Sequence, residues 1–293
     1  MQNEGPTPFD GHIAGPHLPV RIGIAGLGAV GASIGLDLVR VGSDCTGYDI
    51  NSEHMRKAVD IGAVTRTVPS LSGLAGCDAV VLSVPPGQVA EVAAALRETS
   101  DATMIDVASA KSYLAAAIRD PHFVPSHPMR GTNSRGPDAA REGMFRGAAW
   151  AITPVAETSP RSLAIAEKLI RSTGADPVFM DPWTHDRICA RISHLPHVLS
   201  SALVLAALSQ ESTEARHLAG ASFNDQARFA AGNPALWFEI VTSNKEAIVQ
   251  ALTDYISRLE GFLRDLKDGD QDSVKAFFCS AADLMEQAGG VRS

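Results

Sequence analysis

The sequence predicts an α/β fold in which a doubly wound, mainly parallel sheet is followed by an all-α domain. Three observations carry that expectation. From Arg21 to about residue 181, short apolar runs alternate with amphipathic helical stretches. A glycine-rich turn joins the first apolar run to the first helix. Beyond Pro182 the apolar periodicity is helical and strand-like runs are few. The 293 residues are also too many for one compact domain of ordinary size and comfortable for two.

In order along the chain, RIGIAGLG is a strand ending in glycines, and the next segment has helical spacing at Val30, Ile34, Leu38 and Val41. DCTGYDI reads as a second strand, HMRKAVDIGAV as a helix, and CDAVVLSVPP as a strand closed by prolines. GQVAEVAAALRET is a helix, ATMIDVAS a strand and KSYLAAAIRD a helix; HFVPSHPM and AAWAITP are further strands. The segment HDRICARISHLPHVLSSALVLAALSQ is apolar on most sides and must be covered by other helices. ALWFEIVTSNKEAIVQALTDYISRLEGFLRDL reads as one long amphipathic stretch, and SVKAFFCSAADLMEQA completes the helical set. The expected division is a flexible leader over residues 1–20, a nucleotide domain over 21–181 and a helical domain over 182–293. A helical half of this size has a limited core of its own, which predicts a homodimer through that domain.

The formal net charge of −8 argues against nucleic-acid binding, because no basic stripe is available to neutralise phosphates. An anionic small molecule would need a local cluster of Arg and His to overcome that field. Cys45, Cys77, Cys189 and Cys279 are scattered without a CxxC pair, which reads as buried thiols of a reduced compartment. The first twenty residues lack a basic segment followed by an apolar one, and no stretch reads as long and uncharged enough to cross a bilayer. The expectation is a cytoplasmic protein with no membrane partner.

Gly26-Leu27-Gly28-Ala29-Val30-Gly31 matches G-x-G-x-x-G between a strand and a helix. Gly26 would make the tight turn, Gly28 would let the backbone approach a pyrophosphate, and Gly31 would permit close helix–strand packing. The helix N-terminus supplies amide donors to the phosphates. Asp49 ends the second strand where a carboxylate would accept from ribose hydroxyls and repel a 2′-phosphate, so a Rossmann-type domain binding NAD is expected. Ser83 and Pro85 end a strand on the side where such sheets bind ligands.

A further set of polar residues stands out. DVASAK holds Ser109 and Lys111, SHPM holds His127, and HD with SHLPH places Asp186, His194 and His197 on one helix. FNDQARFAAGNPALW contributes Arg228 and Trp237. Read singly, Ser109 is a helix cap, His127 is as much a turn histidine as a functional one, and the Asp–His set is either functional or a buried structural network. Asp186 and His197, eleven residues apart, fall on nearly one face of a regular helix, and Pro196 should kink it. No H-E-x-x-H spacing is present, so no metal is expected.

With GLGAVGASIG, DVASAK, SHPMRGTNSRG, HD…SHLPH and FNDQARFAAGNPALW together, the chain resembles the prephenate/arogenate dehydrogenase family of tyrosine biosynthesis from Arg21 to about Leu266. The resemblance implies hydride transfer from the ring carbon bearing the 4-hydroxyl to NAD, with loss of CO2 to give a phenol. His127 would be the base for that hydroxyl, Ser109 its hydrogen-bonding or orienting partner, and Lys111 a nearby electrostatic helper. Arg228 would clamp a substrate carboxylate with help from His197. Asp186, His194 and Trp237 would form a supporting network, and the active site would lie between the domains. Where the family usually has Ala-Gly-Thr-Glu, this chain has Arg130-Gly131-Thr132-Asn133, which places Thr132 and Arg130 on the substrate side and makes it more positive. That favours the pyruvyl side chain of prephenate over the amino-acid side chain of arogenate; arogenate and 4-amino-4-deoxyprephenate stand as the alternative substrates. No appended regulatory domain is expected. A β-hydroxyacid or imine dehydrogenase is disfavoured because no lysine occurs between Lys168 and Lys245. A non-catalytic NAD-binding protein is disfavoured by the presence of His127, Ser109 and Arg228.

Overall fold

The computed structural model describes residues 21–132, 134–208, 215 and 217–289, so the expected leader and Asn133 lie outside the described residues. Strands β1 (Arg21–Ala25), β2 (Asp44–Tyr48), β3 (Arg66–Thr67), β4 (Ala79–Leu82), β5 (Thr103–Asp106) and β6 (Phe123–Val124) form one sheet in the order 3-2-1-4-5-6. Every pairing in it is parallel. This is the Rossmann order, and the reversal between β1 and β4 is where such sheets receive a dinucleotide.

The strands alternate with α1 (Ala29–Arg40), α2 (Ser52–Asp60), α3 (Val89–Arg97), α4 (Ser112–Ala117) and, after the sheet is complete, α5 (Pro160–Ser172). Both faces are covered, which is why β4 (AVVL) and β5 (TMID) are buried at every position. Ile22, Ile24, Val81 and Ile105 pack on one side with Ile34, Leu38 and Leu169. Val80, Leu82 and Met104 pack on the other with Leu96 and Phe123. The period of two in the strands assigns each residue to its face.

The second half of HFVPSHPM does not extend the main sheet as the sequence suggested. After β6, Pro125 has no N–H to give a ladder. The chain enters a second sheet, with β7 (Ser126–Pro128) antiparallel to β8 (Ala149–Ile152) and β9 (Asp176–Phe179) parallel to β8.

The chain separates into two compact units: one runs to His185 and adds Asn233–Ser243, and the other comprises Asp186–Gly232 and Asn244 onward. The helical segment 233–243 therefore belongs with the nucleotide-type unit, which a single cut at residue 181 does not capture. It forms α9 (Pro234–Ser243), packed near the short turn Pro86–Gln88 that follows β4. The long amphipathic stretch is broken at Asn244, whose backbone (φ −119°, ψ 32°) is non-helical, before α10 (Lys245–Asp268) and α11 (Gln271–Gln287).

The first long helix is also modified. α6 (Pro182–Cys189) passes into a π turn at Ala190–His194 and then α7 (Leu195–Leu208). Pro196 lacks the N–H that a regular turn would use, and the Leu195 N–H reaches back five residues to the Ala190 carbonyl. This turn interrupts the regular spacing that assigned Asp186 and His197 to one face, and both residues are buried. The run Pro182–Leu208 is also long and apolar enough, by length and composition, to cross a membrane, contrary to the sequence expectation. Arg191 on it pairs with Asp254 of α10 at 3.1 Å, and His194, turned inward, is buried. Of the cysteines, Cys45 and Cys189 are buried and Cys77 half-buried, and burial pushes the Cys45 thiol up to about 12. Cys279 departs from expectation and is exposed on α11.

Candidate active site

The three motif glycines have separable roles. Gly26 adopts φ +93°, and a Cβ there would lie 2.2 Å from the Ser83 carbonyl oxygen. A Cβ at Gly31 would lie 2.0 Å from the Gly26 carbonyl oxygen and 3.0 Å from the Ser83 Cβ. Both are required by the protein's own packing. At Gly28 a Cβ would meet nothing within 4 Å, and this residue is the N-cap of α1. Open space in front of a bare backbone at a 12-residue helix N-terminus is what an approaching pyrophosphate needs. The residues fit the group.

Asp49 follows β2 and binds the glycine turn directly: its Oδ2 accepts from the Leu27 N–H at 2.7 Å and its Oδ1 from the Asn51 N–H at 2.8 Å. His54 Nδ1 lies 3.4 Å from Oδ2. A carboxylate has about four acceptor positions, which leaves capacity for ribose hydroxyls. Ala29 and Val30 open α1, and Pro85 is exposed just after β4.

Ser109 lies half-buried between β5 and α4. It is not a helix cap, because α4 begins at Ser112 with Lys111 at the N-cap position. Lys111 is buried completely: its Nζ sits 2.6 Å from both oxygens of Asp106 and donates to the Ser126 carbonyl at 2.7 Å. Asp106 also accepts from the Ala108 and Ser126 amides. Burial pushes the Asp106 carboxyl above the ordinary carboxylate range, while Lys111 and the two amides act in the opposite direction. The ammonium thus braces β5 against β7. Ser126 adds to the brace, donating its hydroxyl to the Asp106 carbonyl at 2.6 Å and accepting from the Trp150 indole at 3.0 Å.

His127, the next residue on β7, is half-buried, and its Nδ1 lies 3.0 Å from Nε2 of the buried His185 on α6. The rings meet edge to face at 76°. Thr132 accepts from the Ser134 N–H through Oγ1. Arg130 is exposed, with one long 3.5 Å approach to the Met144 carbonyl. Trp237 is half-buried on α9.

In the second unit the Asn244 Nδ2 donates to the Asp186 carbonyl at 2.9 Å and lies 3.1 Å from His194 Nδ1. A carbonyl only accepts, so the amide nitrogen must face it, and His194 Nδ1 must accept as well. That places the His194 proton on Nε2. Asp186 and His194 are each 1% exposed. His197 is buried, and burial lowers its pKa below the usual imidazole value of 6.5, which keeps the ring neutral at pH 7. Arg228 occupies a 3-10 turn (Arg228–Ala231) after α8 (Ala221–Ala227); it is exposed and its guanidinium lies 4.2 Å over the Phe229 ring. Among the described residues Arg228 has no ion pair.

Two family models match: "Prephenate dehydrogenase, nucleotide-binding domain" over residues 34–179 and "Prephenate dehydrogenase, dimerization domain" over 181–279. The chain belongs to the prephenate/arogenate dehydrogenase family. A cyclohexadienyl dehydrogenase of Zymomonas mobilis is 30% identical, the match covering 88% of this chain and 92% of the relative. A crystal structure of prephenate dehydrogenase from Aquifex aeolicus, in complex with hydroxyphenyl propionate and NAD+, matches with a TM-score of 0.84 at 28% identity, over 91% of this chain and 97% of that one. Synechocystis arogenate dehydrogenase matches with a TM-score of 0.79 at 28% identity, over 92% and 99%.

The protein is thus an NAD-dependent oxidoreductase of the prephenate dehydrogenase family. Of the residues singled out from the sequence, the first unit holds Ser109, Lys111, His127, Arg130, Thr132 and Trp237, and the second holds Asp186, His194, His197 and Arg228. Sequence reasoning missed Asp106, Ser126, Trp150, Asn244 and the pairing of His185. His185 stands directly before Asp186 in the motif, so its type was visible, but its partner lies 58 residues away. The break at Asn244 carried no local signal beyond the residue's low helix propensity.

Proposed function

We propose that this dehydrogenase oxidatively decarboxylates prephenate to 4-hydroxyphenylpyruvate, with NAD preferred to NADP. The observation that carries the reaction is the His127–His185 contact: with His127 Nδ1 donating across its 3.0 Å, the Nε2 lone pair is the one able to take a proton. Bound over Gly28, NAD supplies the hydride acceptor. His127 takes the proton of the 4-hydroxyl, and Ser109 hydrogen-bonds the same oxygen. Loss of the ring carboxylate as CO2 then makes the ring aromatic.

Arg228 holds a substrate carboxylate, for which an exposed guanidinium with no ion pair among the described residues is suited, and neutral His197 donates a hydrogen bond to it. Thr132 and Arg130 attend the pyruvyl side chain, and Arg130 favours the extra negative charge of prephenate over the zwitterionic side chain of arogenate. Lys111, Asp186, His194 and Trp237 support these groups. Asp49 disfavours the 2′-phosphate of NADP by charge.

A homodimer forms through the helical unit. Ile256, Leu259, Leu263 and Leu266 repeat at helical spacing on α10 and are exposed, as are Phe277, Phe278, Leu284 and Met285 on α11. The matched model for this region is that of a dimerization domain. A cytoplasmic location accords with the cofactor and the free thiols.

The test is turnover of prephenate and arogenate with each cofactor. The expected result is 4-hydroxyphenylpyruvate, CO2 and NADH from prephenate, and turnover of arogenate alone would overturn the substrate assignment. His127→Asn should abolish most turnover while leaving NAD affinity in place.

A further inference from the structure

We propose that His185 is the positioning partner of His127, selecting its base-competent tautomer and sharing the proton it takes up. The inference rests on His127 being the base. Two neutral imidazoles carry two N–H protons, and only one fits in the 3.0 Å gap between His127 Nδ1 and His185 Nε2. If His127 donates, its Nε2 carries the lone pair and accepts the substrate's hydroxyl proton, while His185 keeps its proton on Nδ1. If His185 donates, His127 has its proton on Nε2 and is no base. The direction of this one bond therefore decides whether the site is active.

The same bond provides for the charge that follows. When the hydroxyl O–H breaks and an N–H forms at His127 Nε2, His127 becomes an imidazolium whose Nδ1–H makes a charge-assisted bond to neutral His185. Transfer of that Nδ1 proton to His185 Nε2 moves the charge to His185 and leaves His127 neutral, with every proton accounted for. A second positive charge on the pair would set two N–H groups against each other, so the pair holds one.

The fold holds His185 for this purpose. It is 1% exposed, one turn into α6, and its N–H donates to the Asp181 carbonyl at 3.1 Å. The nearest titratable neighbour is the buried Cys189 thiol at the end of α6, whose sulfur lies within 4.8 Å of a nitrogen of each ring. Opposite His127 on β8 stands Ala151; β5 offers Asp106, neutralised by Lys111. At the start of α6, Asp181 has its carboxyl held below the usual range by the Thr184 hydroxyl and amide.

The experiment compares pH–rate profiles of the holoenzyme and its His185→Ala, His185→Gln and His127→Asn variants. His185→Ala should lower kcat about tenfold or more, a part of the usual general-base contribution, with KM little changed. Its acid limb should move to lower pH, because the His127 imidazolium loses its acceptor. His185→Gln, whose amide oxygen can accept the same bond, should recover much of kcat and return the limb toward wild type. A wild-type acid limb in His185→Ala, or a loss that His185→Gln does not recover, overturns the assignment of His185. Retained turnover in His127→Asn would instead overturn the base itself, so the two failures are distinguishable.

Discussion

The ammonium of Lys111 lies 2.6 Å from both carboxylate oxygens of Asp106 and is wholly buried with it. Through its third bond, to the Ser126 carbonyl, this pair fixes the residue that precedes His127. The position of an imidazole on a short strand is thereby tied to the end of the central sheet.

Lys111→Met should consequently destabilise the protein by about 3–5 kcal/mol, since it strands a buried carboxylate. Adding Asp106→Asn should recover part of that loss, because the two changes act on one interaction. Urea unfolding midpoints check both. A loss below about 1 kcal/mol in the single variant would show that the pair is not holding β5 to β7.

Gly28→Ala and Gly31→Ala should separate cofactor binding from folding. The first adds a methyl group where the protein has open space, so the fold should survive while NAD binding weakens about tenfold or more. The second drives a Cβ to 2.0 Å from the Gly26 carbonyl and should unfold the first unit. NAD titration and thermal melting of the two variants measure the contrast. Equal loss of stability in both would refute it.

Asn244 should tolerate no acceptor-only substitute. Asn244→Ala removes two buried hydrogen bonds, costing roughly 1–3 kcal/mol, and Asn244→Asp should be worse, because a carboxylate cannot donate to the Asp186 carbonyl. Chemical denaturation compares them. An aspartate variant as stable as wild type would mean that the amide does not set the His194 tautomer.

His197 gives stability a defined pH dependence. Its pKa is lowered by burial, so below 6.5 the unfolded chain takes up a proton that the folded chain refuses. Its contribution is therefore full above that value and is lost as pH falls toward the lower, folded-state pKa. Melting temperature should decline across this window, and His197→Gln should flatten the decline. An unchanged slope in the variant would assign the acid sensitivity to other groups.

Much of the first unit was legible before any coordinates. Buried runs such as AVVL, helical spacing at Ile34 and Leu38, and three glycines each with a different duty are local signals. Asp49 was legible too, since a strand-end carboxylate reaches the glycine turn next to it through the sheet register. The helical half was less so. Regular spacing ran straight from Asp186 to His197, and nothing in it announced the π turn before Pro196. The amphipathic pattern ran through Asn244 without a pause, although the chain breaks there.

What the sequence by itself determined were the element types, the strand–turn–helix cofactor motif and the residue types able to handle a proton and a carboxylate. The tertiary structure alone decided which of these groups touch: His127 with His185, Asn244 with His194, and Lys111 with both Asp106 and Ser126. The reason is one of range. Backbone preference and hydrophobic period act within a turn or a strand, whereas a buried hydrogen bond between residues 50 or 58 apart exists only after the packing has brought both ends out of water.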